Sequence, residues 1–153
     1  MTTPDHVARL MDEALKEAAL AKDKGEVPVG AVIARGETII GRGHNLTESI
    51  GSVTAHAEIR AINEASQNLD GWRLADCVLC VTLEPCTMCL GAIRLARIPT
   101  LIFGAGDSRQ GAAGSLYDLS QDDRLGPSVR VLSRVKQIEC ERILADFFKT
   151  LRG

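Results

Sequence analysis

DCVLCVTLEPCTMCLGAIRLAR, residues 76–97, changes its periodicity halfway along. Residues 76–83 form a nearly unbroken apolar run of strand length, which predicts a strand buried on both faces. From 85 to 97 the apolar residues fall at helical spacing. Proline stands at the first helical position, where a missing N–H is least costly. A buried strand followed at once by a helix is the repeating unit of an α/β fold. The same stretch holds four of the chain's five cysteines, arranged as two Cys-x-x-Cys pairs.

The change of period separates the two pairs. Cys77 and Cys80 lie in the strand, where residues three apart point to opposite faces. No glycine or proline breaks the strand between them, so they cannot both reach one ion. They read as buried structural thiols, since free cysteine behaves as a small hydrophobe. Cys86 and Cys89 open the helix and share one of its faces. The partial positive charge of a helix N-terminus favours thiolates there. A redox dithiol would also fit this pair taken alone. Such motifs, however, commonly follow a chain's first strand, and this one comes late.

Working outward, VARLMDEALKEAALAKDKGE (residues 7–26) places Val7, Leu10, Met11, Ala14, Leu15 and Ala18 at helical spacing, with Gly25 as a stop. VGAVIAR and TIIGRGH are β-rich runs joined by Gly36-Glu37 and predict a hairpin. Residues 45–55 read as a polar loop. AHAEIRAINEASQN (residues 55–68) predicts a helix with Thr54 as N-cap and Ile59, Ile62 and Ala65 inward. TLIFGA is a second buried strand, GDSRQGAAGSL a glycine-rich functional loop, SVRVLS a short strand and KQIECERILADFFKTLR a closing helix. The order predicts an α/β sandwich with helices covering a mixed sheet, in a single domain spanning 1–153.

TAHAE adds the missing ligand. A lone histidine is usually a packed or surface residue. His56, however, falls at the start of its helix, as Cys86 and Cys89 do at theirs. Two helices leaving one edge of a sheet can bring the three together. One nitrogen and two sulfurs without a fourth ligand make the zinc arrangement that keeps a position open for water. His6 and His44 are distant in sequence, and Cys140 sits in an apolar helix pattern. Such a site acidifies water toward neutral pH and needs a proton carrier beside it. Glu58 stands two residues from His56 and takes that role.

The bulk numbers exclude several classes. At 153 residues, 45% apolar and 25% charged, the chain has ordinary globular composition. No apolar run approaches the roughly 20 residues that span a bilayer. The charged opening, MTTPDHVARLMDEALKEA, lacks a signal-peptide centre, so a cytoplasmic location is expected and no membrane partner. The net charge of −2 argues against a dedicated nucleic-acid binder, and no DNA partner is expected. From Arg124 onward, though, seven basic residues face three acidic ones. That charge fits either a local anionic contact or a solvated helix face.

His-Ala-Glu followed by Pro-Cys-x-x-Cys resembles the zinc-dependent deaminase family. The segments GEVPVGAV, His44-Asn45, TAHAEI, TLEPCTMC, FGA, GAAGSL and ADFFKTLR run nearly end to end and resemble its bacterial tRNA adenosine deaminase branch. The resemblance implies a three-layer α/β/α fold around a five-stranded sheet, a homodimer and one Zn2+ per subunit. It implies hydrolysis of the wobble adenosine of a tRNA anticodon stem-loop to inosine. Carried over by position, His56, Cys86 and Cys89 hold zinc and Glu58 shuttles the proton. Asn45 and the Ala57 backbone meet the purine. Asp107 and Arg109 meet the anticodon, and Lys149 and Arg152 face RNA. A free purine base or nucleoside deaminase, such as one acting on guanine, would share the zinc site without needing a basic RNA face.

Overall fold

The computed structural model describes residues 3–152. Helix α1 (Pro4–Asp23) starts where the Thr3 side chain accepts the His6 N–H at 3.2 Å, with Pro4 in the first turn. It stops at Gly25, whose φ of +75° is a conformation that glycine adopts without strain. Strands β1 (Gly30–Arg35) and β2 (Thr38–His44) form the expected hairpin across Gly36-Glu37. They are followed by α2 (Thr47–Ile50), α3 (Ala57–Asn68), β3 (Cys77–Leu83), α4 (Thr87–Leu95), β4 (Thr100–Ala105), β5 (Arg130–Leu132) and α5 (Gln137–Arg152). No described helix is long and apolar enough to cross a membrane.

The sheet is five-stranded and mixed, in the order β2-β1-β3-β4-β5. β1 runs antiparallel to both β2 and β3, while β3, β4 and β5 are parallel. Side-chain alternation sends Ala31, Ile33, Leu79 and Val81 to one face, against Ala61 of α3 and Leu90 and Ile93 of α4. Val32, Ala34 and Ile102 go to the other, against Leu10, Met11 and Ala14 of α1 and Cys140 of α5. These are the three layers of the expected sandwich. Cys77 belongs to the first face and Cys80 to the second, so strand alternation splays them as the sequence predicts.

Three local expectations are corrected. Residues 45–55 are not all loop, because α2 forms there; Gly51 ends it in the left-handed region, at φ +70°. The N-cap of α3 is His56 and not Thr54. Pro85 precedes the N-cap of α4, which is Cys86, instead of occupying the first helical position. The inward face of α3 is as expected at Ala65, which is fully buried, and at Ile62, which packs on the same cluster; Ala57 and Ala61 join it fully buried, and Ile59 is half-buried. The reason is close approach. A Cβ on Gly43 would lie 2.4 Å from the Ala57 carbonyl, and one on Gly41 would lie 2.4 Å from that of Ala61. Only small residues on both elements permit this contact. It draws the end of β2, with Asn45, beside the first turn of α3.

Candidate active site

β3 and β4 are parallel, so their C-terminal ends open on one edge of the sheet, the usual location of ligand sites in such folds. α3 and α4 begin at that edge. His56 and Cys86 are the N-cap residues of these helices, with extended backbones, at ψ 154° and 177°. Neither side chain caps its helix. Each is therefore free to turn toward the other. The His56 Nδ1 lies 3.6 Å from Cys86 Sγ and 3.4 Å from Cys89 Sγ. All three ligand atoms fall within 4.8 Å of one another.

This group could hold a metal ion. A tetrahedral ion with N and S bonds of zinc length would separate nitrogen from sulfur by about 3.5 Å, which brackets well with the two observed distances. The Cys86 thiol is pulled down to about 4, first by its hydrogen bond with Cys89 and then by that with His56, against the opposing effect of burial. Cys89 is driven upward in turn, by Cys86 and by burial. Cys86 raises the affinity of His56 for a proton.

Glu58 is the second residue of α3 and only 3% exposed. Its carboxyl and the Cys89 thiol influence one another's ionisation. Burial pushes it up to about 7, where a carboxyl can both take and return a proton near neutral pH. Glu58, His56 and Cys86 line an open cleft of about 1010 Å³. A buried proton carrier beside a nitrogen and two sulfurs, at the floor of a cleft, is an arrangement for activating water against a bound substrate.

The MafB19-like deaminase family model matches residues 5–152. The chain is 48% identical over 139 residues to a tRNA-specific adenosine deaminase of Streptococcus pyogenes, covering 91% of this chain and 87% of that one. The chain belongs to the tRNA-specific adenosine deaminase family. It is 46% identical to the protein of that name from Bacillus subtilis, over 93% of this chain and 88% of the other. A solved structure from work on A-to-I editing by tRNA:A34 deaminases superposes with a TM-score of 0.84 at 42% identity, covering 89% of this chain and 99% of that one.

The deaminase brings most of the sequence-predicted residues to one cleft. Asn45, Ala57, Asp107, Arg109 and Arg152 all line it. Asn45 is already engaged: its Nδ2 donates to the Val27 carbonyl, and its Oδ1 accepts from the Thr47 N–H and hydroxyl. Lys149 is exposed on α5 but does not line the cleft. Part of the C-terminal positive charge is neutralised within the fold, since Arg124 pairs with Asp122 and Lys136 with Asp12. His44 is tied to Glu17 and Lys24, away from the ligand group.

Two buried carboxylates escaped the sequence reading. Glu26 is 1% exposed and accepts the Glu48 and Ser49 N–H groups of α2, at 3.1 and 2.5 Å. Glu84 is 2% exposed and accepts from the loop after β4. Burial alone would raise Glu26, but the Ser49 and Glu48 donors outweigh it and hold the carboxyl below its usual range. Glu26 lies within GEVPVGAV and Glu84 within TLEPC; a charged residue inside an apolar run was the available sign.

Cys77 and Cys80 lie apart from the ligand group, on opposite faces of β3. Burial raises both thiols, which disfavours the thiolate that binds metal. Cys77→Ala and Cys80→Ala should each leave the metal content of the purified enzyme unchanged. Elemental analysis showing either variant metal-free would restore a four-cysteine site.

Proposed function

We propose that this chain, acting as one deaminase domain, converts the wobble adenosine of a tRNA anticodon to inosine, with release of ammonia. The observation that carries the proposal is the Glu58 carboxyl set against the His56, Cys86 and Cys89 group at the floor of an open cleft. The family membership and the 42% identity to the tRNA:A34 deaminase structure support the choice of substrate.

We assign His56, Cys86 and Cys89 to one zinc ion, whose tetrahedral bond lengths suit their spacing. Bound there, zinc would supply a water acidified to a pKa of about 7. Glu58 would take a proton from water and deliver it to ring nitrogen 1 of adenine. The hydroxide oxygen would add at carbon 6, and Glu58, ionised again, would take the proton of that new hydroxyl and pass it to the amino group, which leaves as ammonia while the carbon 6 carbonyl forms. Asn45 has a second N–H on Nδ2 for the purine. We assign phosphate contacts to Arg109 and Arg152, which line the cleft, and to Lys149, exposed on α5 outside it; their attraction weakens as salt rises. An anticodon loop suits an open cleft, because a partly unstacked nucleotide is cheaper to present than one flipped from a duplex.

We further propose a cytoplasmic homodimer. Val53, Leu116 and Tyr117 are 76%, 48% and 54% exposed beside His56 and Cys86, an apolar patch that a second copy would cover.

The test is a product assay. Zinc-loaded enzyme is mixed with an anticodon stem-loop bearing a wobble adenosine and, separately, with free adenine, guanine, adenosine and cytidine. Mass spectrometry of the digested products should show inosine from the stem-loop alone. Turnover of a free base without the stem-loop would keep the metal chemistry and discard the RNA substrate.

A further inference from the structure

We propose that Glu84 is a positioning residue of this site: its buried carboxylate fastens the loop that carries Asp107 and Arg109 to the strand end that carries Cys86. The inference rests on the tRNA reading above and deepens it.

Glu84 directly follows β3 and is separated from Cys86 only by Pro85. Its N–H donates to the Ala105 carbonyl at 2.8 Å, extending the pairing of β3 with β4 by one residue. Its side chain then reaches under the loop of residues 106–115. Oε1 accepts the Asp107 N–H at 3.0 Å and the Ser115 hydroxyl. Oε2 accepts the N–H groups of Ala113 and Ser115, at 2.9 and 3.1 Å. The Pro85 carbonyl adds a bond from the Ala112 N–H at 2.9 Å. One buried side chain therefore holds both ends of the loop.

The loop is stiff between those ends. Asp107 Oδ1 accepts the Arg109 and Gln110 N–H groups, at 3.0 and 3.2 Å, and the Asp107 carbonyl accepts from Gly111 at 2.8 Å. Gly111 presses on the carboxylate itself, since a Cβ there would lie 2.4 Å from Glu84 Cδ. Arg109 is thus fixed to Asp107, Asp107 to Glu84, and Glu84 to Cys86 through one proline. The device sets where the backbone of a cationic residue on the cleft wall stands relative to the ligand group. Glu84 borders the cleft, but both its oxygens are taken by the loop, so in this scheme it acts through the loop and not on substrate or metal.

Glu84→Gln is the sharpest probe, because it keeps the volume and replaces one acceptor by a donor. In either orientation the new amide meets at least one backbone N–H that it cannot accept. With metal content unchanged, the KM for the anticodon stem-loop should rise about tenfold while kcat stays within about threefold. Hydrogen exchange of the amides at 107–115 should quicken. Ser115→Ala removes a single donor and should raise KM about threefold, and should add nothing further in the Glu84→Gln background. An unchanged KM in either variant, or a fall in kcat and metal content at constant KM, overturns the proposal. Should Glu84→Gln not fold, Ser115→Ala decides alone. Wild-type enzyme failing to convert the stem-loop would instead sink the tRNA reading. Loop exchange would then judge Glu84 separately, with wild-type rates in Ser115→Ala counting against it.

Discussion

Glu58→Gln should keep its metal and lose turnover by about 10²–10⁴-fold, the range attributed to a positioned acid–base group. The substitution preserves shape in a site where Glu58 is only 3% exposed, so the fold has no cavity to relax into. It removes the one property the proposed reaction needs, a carboxyl that can accept a proton and return it. Metal should remain because the proposed ligand atoms are those of His56, Cys86 and Cys89. The other acidic side chains described on the cleft differ from Glu58: Glu48 is exposed on α2. Glu26 and Glu84 are saturated by backbone donors, and Asp107 caps its own loop. The check is elemental analysis beside single-turnover kinetics on the stem-loop. Zinc lost with the carboxylate would place Glu58 among the ligands; turnover near wild type would assign the proton to another group.

Cys86→Ala should abolish both metal binding and activity. The group offers three ligands, and this change leaves one nitrogen and one sulfur. Stability should fall as well, because an ion that binds only the folded chain stabilises it. At 100- to 1,000-fold excess over its dissociation constant that contribution is about 2.7–4.1 kcal/mol. For a chain of this size the loss corresponds to a fall in Tm of about 5–15 °C. Wild-type enzyme stripped by a chelator should melt at nearly the same temperature as the variant. A stoichiometric, tightly held zinc in Cys86→Ala would show that the ligand set is drawn from elsewhere.

Much of this was legible before any coordinates. Periods of two and 3.6 are local properties of the backbone, so residues 76–97 announced a buried strand and a helix without reference to the rest of the chain. The same alternation separated Cys77 and Cys80 from the other pair, and the structure places them on opposite faces of β3. Helix starts also follow local rules, although the exact cap did not. His56 and Cys86 took the cap positions and then declined to cap, because each turns toward the other across the gap between two helices.

Other features arise only from long-range contacts. Asn45 is held by Val27 and Thr47, and the loop after β4 by a carboxylate 23–31 residues earlier in the chain. The donors in these bonds are mostly backbone N–H groups, which every residue but proline possesses and which leave no mark on the sequence. Period and residue chemistry are carried by the residues themselves, so they marked the sandwich and singled out the three side chains proposed to bind metal and the proposed proton carrier. The depth of α3 against β2, the reach of Glu84 beneath its loop and the pairing of Lys136 with Asp12 depended on which segments approach one another, and that is settled only when the layers pack.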